Sequence, residues 1–97
     1  MDIEEFEQLF EEYDDEYLEF DKIENKFSNR PDLHAFLLLD KLLPSDHDII
    51  SASEHDQFWI GVDINELLEV ITEEYVKELI RCGVSYDESV ESLYMLS

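Results

Sequence analysis

Hydrophobic residues recur at steps of three and four along the first quarter of the chain. This spacing places them on one face of a helix, and neither Gly nor Pro interrupts residues 2–27. The pattern predicts one long helix over residues 2–27, with Asp2 as N-cap and Glu5 completing a capping box. Coiled-coil seams favour Leu, Ile and Val, so we expect this mostly aromatic face to pack on the rest of the domain. Its members are Ile3, Phe6, Phe10, Tyr13, Tyr17, Phe20 and Phe27.

A leucine-rich segment between two prolines predicts the second helix. Pro31 suits the first turn of a helix, and Pro44 ends it. The segment is apolar on most sides, so we expect it to be the central buried element. We interpret His34, which lies within it, as a packed or edge histidine rather than a catalytic one.

A shorter alternating pattern predicts a β-hairpin in the middle of the chain. Residues 48–53 and 57–63 form the two strands, joined by the polar turn Glu54-His55-Asp56. In the second strand Phe58 and Ile60 share one face and Trp59 lies on the other, because side chains alternate along a strand.

The last third of the chain predicts two more helices. The first begins at Asp63, continues to about Arg81 and ends before Gly83, a residue typical of helix C-termini. The sequence Ser85-Tyr86-Asp87-Glu88 predicts the start of a short final helix. The element order is therefore helix, helix, β-hairpin, helix, helix, which defines an α+β, mostly helical single domain over residues 1–97.

Charge changes this picture from a generic small domain to an unusual one. The 97 residues include 27 Asp or Glu and only 6 Lys or Arg, for a net charge of -21. Direct binding to nucleic acid or to an anionic membrane is excluded, since both need a basic face. The acidic start of the chain does not resemble a signal peptide, and its longest apolar run, residues 35–39, is too short to cross a bilayer.

The acidic residues are concentrated at the start of the chain. Twelve of residues 1–24 are Asp or Glu, and Lys22 alone opposes them. On one helix they would present a carboxylate every ~3 Å, close to the ~3.4 Å phosphate spacing of a DNA strand. Like charges four residues apart, such as Glu7 and Glu11, destabilise a helix, so the pattern indicates a selected negative surface.

This surface supplies the candidate partner-binding residues, to which the helix predicted from Asp63 adds further carboxylates. They are Glu4, Glu5, Glu7, Glu11, Glu12, Asp14, Asp15, Glu16, Glu19, Asp21, Glu66, Glu69, Glu73 and Glu74.

In size, acidity and lack of catalytic motifs, the chain resembles the small phage-encoded DNA-mimic proteins that inhibit restriction enzymes and CRISPR effector complexes. The resemblance implies a non-catalytic inhibitor that occupies the basic DNA- or RNA-binding surface of a nuclease or CRISPR complex, in the cytoplasm of an infected bacterial host. The alternative is an acidic interaction module, of the immunity-protein or adaptor type, that binds a basic partner without imitating nucleic acid. Both a monomer and a dimer remain open.

Other reactive residue types do not form a recognisable catalytic or metal motif, so we predict no enzyme activity, no metal and no cofactor. No metal-ligand spacing recurs among the His and Asp residues of the middle segment, which we interpret as polar turn residues. The lone Cys82 cannot form an internal disulfide, and we expect it to be a core residue rather than a nucleophile. The turn residues are Asp46, His47, Asp48, His55 and Asp56.

Overall fold

Four α-helices pack with a four-stranded antiparallel sheet in the part of the chain that the structure describes, residues 1–44, 50–54 and 56–96 of a computed structural model. The α+β class is therefore confirmed. Two 3₁₀ turns, Asp14–Glu16 and Phe20–Lys22, follow the first helix. The elements in chain order are α1 (Ile3–Glu12), α2 (Pro31–Leu42), β1 (Ile50–Glu54), β2 (Gln57–Ile60), α3 (Ile64–Val70), α4 (Glu73–Arg81), β3 (Val84–Asp87) and β4 (Ser92–Leu96).

The sheet consists of two hairpins placed side by side, in the order β1-β2-β4-β3. Ile60 of β2 and Leu93 of β4 lie opposite each other and are buried in the core. The next pair along these strands, Trp59 and Tyr94, lies on the other face with ring centroids 5.4 Å apart. The two-residue period of the strands thus separates the core from a second, aromatic face.

The single long helix predicted over residues 2–27 is wrong, because α1 ends at Glu12. Asp14 and Asp15 are weak helix formers, and continued like-charge pairs would destabilise another turn. The chain instead reverses at Leu18 (φ 61°), whose N–H donates to the carbonyl of Ile80 at 3.2 Å. The Cα atoms span only 28 × 28 × 25 Å, less than the ~39 Å length of a 26-residue helix.

The predicted helix over residues 63–81 is broken into α3 and α4. Ile71 is extended (φ -85°, ψ 148°), and Thr72 caps α4 by accepting a hydrogen bond from the Tyr75 N–H. Val70, Ile71 and Thr72 are all β-branched, which weakens helix propensity at this point. Thr72 followed by acidic residues is itself a helix-start signal.

The predicted final helix is also wrong, since β3 and β4 form a hairpin there. Leu93 and Met95 are buried, while Ser92, Tyr94 and Leu96 between and beside them are more exposed. This alternation is typical of a strand that has one face in the core. The tertiary burial of alternate residues therefore overrides the capping signal at Ser85.

Other predicted boundaries are confirmed. Asp2 and Asp63 cap α1 and α3 through their side chains, and Pro31 opens α2. The middle hairpin is present with different bounds: its first strand continues to Glu54 and its second ends at Ile60 instead of residue 63. Residues 45–49 and 55 lie outside the described residues.

Only one side of α2 is buried, which corrects the expectation that it is enclosed on most sides. The buried side includes His34 and Leu38, whereas Leu33 and Leu37 are 43% and 41% exposed.

Gly83 ends α4 in the left-handed region and gives a testable prediction. Its φ is 92°, its N–H donates to the Ile80 carbonyl at 2.9 Å, and an added Cβ would lie 2.6 Å from Leu18 Cδ2. A left-handed non-glycine residue costs about 1–2 kcal/mol. We expect Gly83→Ala to lower the free energy of unfolding by at least that amount in a denaturant titration. The control Gly61→Ala, at a glycine without positive φ, should change it by less than about 0.5 kcal/mol; equal losses would contradict this role for Gly83.

Candidate functional site

The candidate carboxylates cover the outside of α1, the 3₁₀ turns, α3 and the start of α4. Twelve of the fourteen are exposed, while Glu7 and Glu16 are half-buried. Their linear arrangement on one helix is lost because α1 has only 10 residues, about 15 Å of helix. The negative surface is therefore spread over a compact body.

The chain's own cations do not neutralise this surface. Lys26, Lys41 and Lys77 lie over aromatic rings at 5.0–5.3 Å from the ring centroids. Arg30 pairs with Asp32, which is not a candidate residue. Among the described residues, Glu16 alone of the fourteen candidates has an ion-pair partner within 4 Å.

Glu16 is held inside the fold rather than presented to a partner. Its Oε2 accepts a hydrogen bond from Arg81 Nε at 3.0 Å and lies 3.6 Å from Lys22 Nζ. The hydrogen bond from Arg81 lowers the pKa of Glu16. This contact ties the first 3₁₀ turn to α4, so Glu16 is the candidate carboxylate least available for binding.

A groove between α1 and the β3–β4 hairpin brings together carboxylates and aromatic rings. We call it the acidic groove; its volume is about 670 Å³. Three of its carboxylates were among the sequence candidates: Glu7 and Glu11 on α1, and Asp14 on the first 3₁₀ turn. The two on the hairpin, Asp87 and Glu88, were not among the candidates, because the sequence predicted the start of a helix at Ser85. The alternation of buried residues in β4 is the sequence signal that could have indicated the hairpin. The groove is lined by Glu7, Phe10, Glu11, Asp14, Ser85, Tyr86, Asp87, Glu88 and Tyr94.

Like charges oppose one another across the acidic groove. Burial raises the pKa of Glu7, and the neighbouring Glu88 carboxyl raises it further. Burial also raises the pKa of Tyr86, followed in effect by the charge of Glu7. Within the described part of the chain, the buried Tyr86 hydroxyl has no hydrogen-bond partner. The groove thus holds negative charge that the chain does not balance, next to a buried tyrosine hydroxyl.

A second acidic cluster surrounds Tyr13, where α1 meets α4. The Tyr13 hydroxyl donates to Glu73 Oε1 at 3.2 Å, and Lys77 lies over the ring. Burial and the bond to Glu73 raise the pKa of Tyr13, and the charges of Glu12 and Glu74 add to this effect. The fold therefore joins candidate carboxylates that are about 60 residues apart in sequence.

The remaining reactive side chains lie in the core or far from one another. Cys82 is buried, and burial raises the pKa of its thiol to about 12. Across the described ranges, no three His, Cys, Asp or Glu side chains are grouped to hold a metal ion. No helix in those ranges has the length and apolar character needed to cross a membrane.

Comparisons with known proteins found no family model, no curated protein and no solved structure that matches the chain significantly.

The two perturbed glutamates predict a stability maximum in mild acid. Glu7 has a raised pKa in the fold, so its contribution is unfavourable at neutral pH and improves as pH falls through that pKa. Glu16 has a lowered pKa, so its contribution is present above about pH 4.5 and is lost as pH falls further. We expect the denaturant midpoint to rise from pH 7 to about pH 5 and to fall below about pH 4. Glu7→Gln should reduce the rise, and a midpoint that only falls on acidification would contradict the account.

Self-repulsion among the carboxylates also predicts a salt effect on stability. The Debye length shrinks from ~30 Å at about 10 mM salt to below ~5 Å at about 500 mM. We therefore expect the melting temperature to rise over this range, as measured by circular dichroism. An unchanged melting temperature would mean that protons or bound cations already neutralise the surface.

Proposed function

We propose that the protein is a non-catalytic acidic inhibitor that occupies the basic nucleic-acid-binding surface of a target, such as a restriction nuclease or a CRISPR effector complex. One observation carries this proposal: thirteen of the fourteen candidate carboxylates have no ion-pair partner among the described residues. Unpaired carboxylates repel one another and so destabilise the fold, but they are available to pair with cations of another molecule. Lysine and arginine side chains of a DNA-binding site supply them.

The dimensions of the fold limit how much of a DNA duplex the protein can imitate. The largest extent of the Cα trace is 28 Å, shorter than one ~34 Å turn of DNA. The protein would therefore fill a basic cleft locally, with carboxylates standing where a few phosphates bind. Pairing releases counterions from both surfaces, so binding weakens with salt as DNA binding does.

The second candidate function is an acidic interaction module that binds a basic partner without imitating nucleic acid. The acidic groove favours it, because Phe10, Tyr86 and Tyr94 lie beside the carboxylates there. Aromatic side chains are enriched at protein interfaces. Such a module would depend on one aromatic site more than on the whole charged surface.

Affinity capture separates the two candidates. The immobilised protein is incubated with bacterial lysate at low salt, washed, and eluted with rising salt. The inhibitor proposal predicts that the resin captures nucleases or other nucleic-acid-binding proteins, and that duplex DNA also releases them. Captured proteins that neither duplex DNA nor rising salt elutes would overturn the inhibitor proposal in favour of the interaction module. A resin carrying Glu11→Lys, Glu12→Lys and Asp15→Lys serves as the control and should capture little.

A further inference from the structure

One edge of the sheet lies beside the acidic groove. Among the described strands, β3 is last in the sheet order and pairs only with β4. In the described chain, no backbone hydrogen bond joins residues 84–87 to α1, although both line the groove. An edge strand with free N–H and C=O groups is a template for an added strand. A free strand edge beside a groove can bind an extended peptide by β-strand addition.

The side chains along this edge favour a basic occupant. Ser85 and Asp87 share one face of β3, since side chains alternate. Glu88 follows at the end of the strand, and Glu7 and Glu11 stand on the opposite helix wall. A segment paired with β3 would therefore pass between carboxylates on both sides.

Aromatic rings complete the groove. Tyr86 packs against Phe6 and Phe10, with ring centroids 5.2 and 6.1 Å away, and Phe10 and Tyr94 also line the groove. Arginine suits these surroundings because its planar guanidinium binds carboxylates and stacks on rings.

We propose that the acidic groove binds an extended, arginine-rich segment of a protein partner, added antiparallel or parallel to the free edge of β3. The backbone of the segment pairs with β3, and its guanidinium groups lie between the carboxylates of Glu7, Glu11 and Glu88. This inference deepens the proposed function and rests on it, since both require a basic partner.

A synthetic peptide in which arginine alternates with threonine tests the proposal without a target protein. Its affinity is measured by fluorescence anisotropy, and backbone amide shifts are followed by NMR. We expect the largest shifts at residues 84–88. A matched peptide with N-methylated alternate amides keeps its charge but cannot pair along one edge, and we expect it to bind about tenfold more weakly. Equal affinity of the two peptides would overturn strand addition.

Two charge-matched variants localise the site. Glu7→Gln with Glu88→Gln removes two groove carboxylates, and we expect a loss of about tenfold in affinity. Asp40→Asn with Glu54→Gln removes the same charge at exposed positions outside both the groove and the candidate set, and we expect a loss of about twofold or less. Neither variant removes a buried apolar contact, so both should fold. Equal losses would overturn the groove as the site.

These outcomes are distinct from those of the proposed function. If the peptide does not bind the groove, while duplex DNA still releases captured nucleases from the immobilised protein, the groove assignment fails and the inhibitor proposal stands. If the peptide binds β3 but duplex DNA does not release the captured partners from the resin, the groove assignment stands and the inhibitor proposal fails.

Discussion

Reversing three charges at the end of α1 should nearly abolish binding to a basic target. The variant Glu11→Lys, Glu12→Lys and Asp15→Lys replaces three exposed carboxylates with cations, so each change removes an attraction and adds a repulsion. At about 0.5–1 kcal/mol for each of these six effects, the dissociation constant should rise about a hundredfold or more. Isothermal titration with a captured target at low salt measures this change.

A matched variant separates local contacts from bulk charge. Asp40→Lys, Glu54→Lys and Asp56→Lys change the net charge by the same amount at exposed positions outside the candidate set. We expect this variant to weaken binding less than tenfold, through the long-range field alone. If both variants lose affinity equally, the acidic surface acts only as a diffuse field and has no binding site on α1.

Replacing His34 should be among the most destabilising single changes in the protein. The ring is fully buried, its Nδ1 accepts a hydrogen bond from the Phe27 N–H, and its Nε2 lies 3.0 Å from Glu78 Oε2. These bonds define a neutral ring that carries its proton on Nε2 and donates to Glu78. His34→Ala opens a cavity and leaves both partners unsatisfied, so we expect a loss of about 3 kcal/mol in a denaturant titration.

Conservative variants at His34 test whether its hydrogen bonds matter beyond its volume. The amide oxygen of His34→Asn can replace Nδ1 as the acceptor for Phe27, so this variant should lose less stability than His34→Ala. Leu33→Ala, at a neighbouring position that is 43% exposed, should lose less than about 1 kcal/mol. A loss at His34 no larger than that at Leu33 would contradict the structural role of the buried ring.

The sequence predicted elements well where local signals agreed. Asp2, Pro31 and Asp63 mark helix starts because capping is a local interaction, and the middle hairpin follows from alternation over a few residues. The long helix over residues 2–27 failed because its periodicity continues past Glu12, although the chain turns at Leu18 to contact α4. That turn is stabilised by the Glu16–Arg81 pair, whose residues are 65 positions apart, and no local pattern reveals such a contact.

The sequence proposed the candidate carboxylates from their density, but it did not predict how they are arranged. Most of those on α1 are exposed in the structure. The groove wall formed by Asp87 and Glu88 was missed because the capping signal at Ser85 resembled a helix start. Only the pairing of β3 with β4 places these residues opposite Glu7, so the groove depends on tertiary structure.

The most direct test of the central claim is competition between the protein and DNA for one target. A captured nuclease or CRISPR complex is loaded with labelled duplex DNA, and the protein is titrated in at several salt concentrations. The account predicts complete displacement at low salt and an apparent affinity that falls steeply as salt rises, because counterions are released on binding. A stable ternary complex of target, DNA and protein, or displacement that is insensitive to salt, would contradict it.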